Sequence, residues 1–144
     1  MESKILIEKS LKRVEDWILS QQLQGYDLFD GLSSPYAKYF TFNKKLLRQF
    51  WQQLFKRTPI NFRKLFKIRE RVIPKTIADV ITALINLSIY YKDNRYDRQL
   101  ESLSELMLSL SYKGYSGLCW GVGLVYQSRN VYTTPKVPNI ITTY

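Results

Sequence analysis

Apolar residues recur at helical spacing along most of the chain. Ile7, Leu11, Val14 and Ile18 step by four, three and four with charged residues between them, which predicts an amphipathic helix over 5–22 with one buried stripe. Gly25 stops it, and YDLFDGLSSPY reads as loop, with Ser34 as an N-cap and Pro35 at the first helical position. Asn43 is placed to cap a second helix running to about Arg57. Its broad stripe joins Leu46, Phe50 and Leu54 to Leu47, Trp51 and Phe55, leaving Lys44, Lys45, Arg48, Gln52 and Lys56 on the other side. Thr58-Pro59 ends that helix, and Phe62, Leu65 and Phe66 predict a short one before Pro74.

The pattern then changes. In TIADVITALINLSIYY, residues 76–91, Ile77, Val80, Ile81, Leu84, Ile85, Leu87 and Ile89 leave almost no wet face, so this helix should be buried on most sides. Thr76 with Asp79 three residues on resembles a capping box. A tight turn at 92–94, capped by Asn94, leads into a one-sided helix over about 95–111, marked by Tyr96, Leu100, Leu103, Met107 and Leu110. The two form an antiparallel helical hairpin. Helical periodicity stops at Tyr112. Gly114, Gly117, Gly121 and Gly123 are interleaved with Tyr112, Tyr115, Trp120 and Tyr126 up to Arg129, a glycine density that weakens either regular element. An ordered loop is expected, in which the rings either form a binding surface or plug the end of a helical core. Pro135, Pro138 and NIITTY follow, where a further element is expected to begin without its partner layer.

Strict up-and-down alternation would put the 23–42 and 112–138 loops at opposite ends of the stack. They share a mouth only if 60–68 crosses back as a short helix, and it is expected to.

Composition narrows the chemistry. The 144 residues include no His and one cysteine, Cys119, so zinc sites and Ser-His or Cys-His nucleophile systems lack their parts. No metal and no cofactor is expected, and any acid-base work falls to Asp, Glu, Tyr or Lys. The N-terminus alternates charge with apolar residues and has no uninterrupted apolar core of a signal peptide; no window is long and apolar enough for a membrane span. A cytoplasmic location is the expectation. Twelve Lys and Arg lie between Lys38 and Lys75 against one acid, Glu70, a net of +11, while the rest of the chain nearly cancels. That segment is either a solvated basic face or a contact for a polyanion, whether an acidic glycan, a phosphorylated lipid carrier, an anionic membrane or nucleic acid, although no helix-turn-helix spacing, RNP strand or zinc finger favours nucleic acid specifically.

GYDLFDGLSSP, WQQLFKRTPINFRKLFKI and GYSGLCWGVGLVYQSR followed by PNIITT together resemble the N-terminal part of bacterial alpha/alpha-toroid proteins of the six-hairpin glycosidase-like kind, associated with polysaccharide biosynthesis. The resemblance implies an all-α fold, an incomplete (α/α)6 toroid of antiparallel hairpins, covering about the first third of the family's length as a single partial domain. It implies an inner helix at 76–91 and an outer one at 95–111. Asp27 and Asp30 would be the catalytic carboxylates, Trp120 and Gln127 carbohydrate contacts, and Arg129 the contact to an anion; Tyr115 and Tyr126 join the carbohydrate contacts as rings of the glycine-rich loop. The partners implied are a carbohydrate or glycolipid-type substrate and the remainder of the ring. Two departures weigh against catalysis more than binding: Leu124-Val125-Tyr126 stands where a Phe-Asp-Trp-like triplet is expected, and Ile73 precedes Pro74 where an Asn is expected. The competing expectations are a basic helical module on an anionic surface and an inactive fragment.

Overall fold

The computed structural model describes residues 2–20 and 23–143. Among these the chain runs through α1 (Glu2–Ser20), α2 (Ala37–Thr41), α3 (Lys45–Arg57), α4 (Pro74–Tyr91), α5 (Asp97–Ser109) and a four-residue α6 (Ile140–Thr143). Strand among the described residues is confined to two antiparallel pairs of two residues each. β1 (Gln24–Gly25) meets β2 (Arg71–Val72), and β3 (Tyr126–Gln127) meets β4 (Tyr132–Thr133). The protein is therefore mostly helical. Residues 21 and 22, the last two of the expected first helix, lie outside the described residues.

The core is small and aromatic. Leu32, Ala37, Trp51, Phe55 and Ile68 are buried together, with Tyr26, Phe66 and Val125 packed against them. The Trp51 indole stacks on Phe40 at 4.9 Å between centroids and meets Phe66 edge-on at 5.2 Å, two geometries that the ring quadrupole favours. Its Nε1 donates to the Gly31 carbonyl at 2.9 Å. A 3-10 turn, Asp30–Ser33, thereby rests on α3. Gly31 is needed there: a Cβ at this position would stand 3.0 Å from the Phe55 ring. Elsewhere α4 packs along α5, and Tyr96, buried just ahead of α5, donates to Glu15 of α1 at 3.4 Å.

Several expectations give way to these contacts. The stripe of α1 is not buried: Ile7, Leu11 and Val14 are exposed and Ile18 is half-buried. On α3 the core reaches only Trp51 and Phe55 of the broad stripe, while Leu46, Leu47, Phe50 and Leu54 are exposed. Gln52, expected on the polar side, is 2% exposed. Of the apolar α4 only Pro74, Ile77 and Leu84 are buried, and Ile85, Ile89 and Tyr90 are exposed.

The 60–68 segment is a wound turn, not a helix. Phe66 bonds back to the Phe62 carbonyl, but Ile68 reaches Arg63 five residues back, and Lys67 is left-handed at φ 53°. Burial of Ile68 and the Ser34 hydroxyl on the Phe66 carbonyl at 2.8 Å draw the chain out of helical register.

The caps differ as well. Asn43 is itself left-handed at φ 55°, and Lys44 occupies the N-cap of α3. Pro74 opens α4, which moves Thr76 inside the first turn, where Asp79 pairs with Lys75 at 3.4 Å. Tyr96 precedes α5, and Asn94 contributes only its carbonyl, to the Asp97 N–H. Ser34 accepts from the Tyr36 N–H at 3.2 Å, so α2 begins after Pro35 and Tyr36 rather than at the proline.

Trp51→Ala is expected to cost about 3–5 kcal/mol, as for other buried aromatics. Trp51→Phe should cost about 1–3 kcal/mol, largely from the Gly31 carbonyl left without its donor. Leu46→Ala, one turn away but exposed, should leave the urea midpoint nearly unchanged. Equilibrium unfolding followed by circular dichroism tests the series.

Candidate functional site

The loop before α2 and the glycine-rich segment meet beside α3. Phe29 and Tyr126 pack edge to face at 5.4 Å, and Arg71 of β2 donates to the Gly123 carbonyl at 2.5 Å. The two loops therefore share one side of the molecule without a helical crossover between them; the chain returns through the turn at 61–68 and β2 instead.

The glycine-rich segment is ordered by its own bonds. Tyr112 and Cys119 bridge, with the Tyr112 N–H donating to the Cys119 carbonyl at 2.8 Å. The Tyr112 hydroxyl donates to the Pro135 carbonyl, and burial raises its pKa above the ordinary phenol value. Gly121 sits where the 135–139 segment crosses, and a Cβ there would lie 2.5 Å from the Val137 carbonyl oxygen. Trp120 anchors the segment to α5: its indole N–H donates to the Met107 carbonyl at 2.7 Å. Its backbone N–H donates to the Thr143 hydroxyl oxygen at 3.0 Å, which ties α6 to it. Tyr115 stands exposed on the outer bend.

One arm ends in a polar cleft of about 310 Å³, lined by Phe29, Gln49, Gln53, Tyr126, Gln127 and Arg129, together with Gln52 and Ser128. Gln127 is buried, its N–H donating to Gln52 Oε1 at 3.0 Å and its own carboxamide to the Ser128 and Val131 carbonyls. Gln49 donates to the Ser128 carbonyl at 3.0 Å. Tyr126, Gln127 and Arg129 are thus brought together in one cleft. Trp120, Tyr115, Asp27 and Asp30 do not line this cleft.

The two carboxylates lie on the other side of the loop, against Arg69, Arg71, Gly123 and Leu124, in a space of about 20 Å³. Arg63 Nε sits 2.9 Å from each Asp30 oxygen, and Nη2 donates to the Asp27 carbonyl at 3.0 Å. Asp27 Oδ1 accepts the Phe29 N–H at 2.7 Å, an Asx turn. Asp30 is buried, and burial raises its carboxyl pKa above the ordinary aspartate value although Arg63 pulls it down. Both carboxylates hold the loop in shape. Nothing in the sequence linked Asp30 to a partner 33 residues away, nor showed that glutamines would dominate the cleft.

Among the described residues no cluster of His, Cys, Asp or Glu could hold a metal ion, and no helix is long and apolar enough to cross a membrane. No family model matches the chain, and neither a curated protein nor a solved structure matches it.

With its folded pKa raised, Asp30 binds its proton more tightly in the native than in the unfolded chain. The group's contribution to stability is then full below the unfolded value of about 3.9 and falls as pH rises through the native one. Carbon-13 NMR titration should place the Asp30 carboxyl above about 3.9, and Arg63→Gln should move it higher still. A midpoint below that value would show the ion pair outweighing burial.

Proposed function

We propose that the chain is part of a carbohydrate-binding α/α-toroid linked to polysaccharide biosynthesis, and that it binds sugar rather than cleaving it. The observation that carries this is the 310 Å³ cleft beside α3, where Tyr126, Gln127 and Arg129 converge with Phe29, Gln49 and Gln53. Carboxamides carry both donors and acceptors, which suits the paired hydroxyls of a sugar ring. Phenol and phenyl rings offer flat apolar faces to its C–H surface, and the Arg129 guanidinium is a planar fork for a carboxylate or phosphate on the same glycan. The reading assigns Trp120 to anchoring the loop on α5, and Asp27 and Asp30 to shaping it. Catalysis is absent from the proposal because Asp30 is held by Arg63 and Asp27 by its own turn. The exposed Ile85 and Ile89 on α4 suit an inner helix whose neighbouring hairpins complete the ring.

Glycan-array screening followed by calorimetric titration of the best hit tests the assignment. Tyr126→Ala and Arg129→Ala should each weaken binding about tenfold or more, in line with loss of a stacking or charge-assisted contact worth about 1.5–3 kcal/mol. Tyr115→Ala should leave it unchanged. Equal binding by parent and Tyr126→Ala would remove the cleft from consideration.

A further inference from the structure

The cleft takes Gln49, Gln52 and Gln53 from the basic segment but none of its lysines or arginines, and the most exposed part of that segment has a distinct character. Where α2 turns into α3, Tyr39 is 76% exposed, Phe42 74% and Leu46 77%. Lys38, Lys44 and Lys45 stand exposed among them. The corner is made at a cost: Phe42 and Asn43 are both left-handed, at φ 46° and 55°. Asn accepts that conformation readily, but for phenylalanine it is strained. Its ring regains little by burial among the described residues. From the corner the exposed row continues along α3 through Phe50 and Leu54 to a groove closed by Arg57, Thr58 and Pro59. No acid occurs between Asp30 and Glu70.

We propose that the α2–α3 corner is a docking surface for an anionic membrane, with Tyr39, Phe42, Leu46 and Phe50 entering the headgroup boundary and Lys38, Lys44 and Lys45 meeting the lipid charge. Exposed aromatic and aliphatic side chains beside lysines are the composition of interfacial anchors, and each lysine near an anionic leaflet adds to the attraction. Charge is what separates this surface from the other exposed apolar rows. Along α1 the lysines alternate with Glu8, Glu15 and Asp16, and the exposed end of α4 around Ile85 and Ile89 carries no charged side chain. Those faces suit protein. A single-stranded nucleic acid would also answer to lysines and rings, but Leu46 and Leu54 offer a base nothing to stack on.

Flotation of the full chain with phosphatidylcholine vesicles, with and without roughly 30% phosphatidylserine, tests this. Binding should require the anionic lipid and should fall steeply between low and physiological salt. Lys44→Glu with Lys45→Glu should abolish the lipid preference, and Phe42→Ser with Leu46→Ser should lower binding about tenfold or more. Tyr126→Ala should leave it intact, which separates this surface from the sugar cleft. Circular dichroism of each variant should match the parent, since the substituted side chains are exposed. Equal binding to neutral vesicles, or no vesicle binding by the folded parent, overturns the proposal. So does loss in the same variants of binding to a single-stranded oligonucleotide that the membrane does not share, or of self-association, which would make the corner a contact between copies.

Discussion

The carboxamide of Gln52 is the contact on which the rest of the structure turns. It is almost wholly removed from water in the middle of α3, where its oxygen accepts the Gln127 N–H and its nitrogen approaches the Phe29 carbonyl at 3.5 Å. One side chain thus satisfies both loops that flank the cleft. A buried carboxamide left without partners would cost several kcal/mol, so the loops and the helix are stable only together. Trp51, the preceding residue, does the same for the 3-10 turn through Gly31. Two adjacent residues of α3 therefore set the positions of chain segments about 20 and 75 residues away.

That arrangement explains why the basic segment is only partly a charged surface. Arg63 is committed to Asp30, Arg71 to the Gly123 carbonyl, and Arg48 to the Asn43 carbonyl with its guanidinium over the Tyr132 ring at 4.3 Å. Lys56 lies over the Phe29 ring at 4.6 Å. Arginines are drawn inward by planar geometry and weaker hydration. The charge free to meet a partner is carried mainly by lysines, and Lys38, Lys44 and Lys45 gather at one corner.

Helix positions were legible in the sequence because a 3.6-residue period survives whatever the helix packs against. What covers each face was not. The stripe on α3 spans Leu46 to Phe55, yet periodicity carries no information on which half meets the core, and Gln52 reads as polar surface until its two loop partners are known. The caps at Asn43, Thr76 and Asn94 fall elsewhere for two reasons. Asn is as much at home in a left-handed or turn conformation as at an N-cap, whereas Thr76 is displaced because Pro74 sets the start of α4 on its own. The turn at 61–68 was read as helix from three apolar residues at the right spacing, whereas Ile68, bonded five residues back, shows burial overriding local register. The glycine-rich segment came through better. Its glycines announced an ordered loop, but the split between Trp120 as anchor and Tyr126 as cleft wall depends on α5 and α3, which lie outside that stretch.

The cleft and the corner make different use of α3. Along the covered side, Trp51, Gln52 and Phe55 fix the loops, and the cleft inherits its shape from them. Along the open side, Leu46, Phe50 and Leu54 are exposed. A helix so amphipathic on both sides of its buried line is poorly served by water, since apolar area of this extent gains when it is covered. If the open side rests on a lipid surface, α3 becomes a beam between membrane and cleft. The same helix would in that case fix both the position of the site and its height above the bilayer.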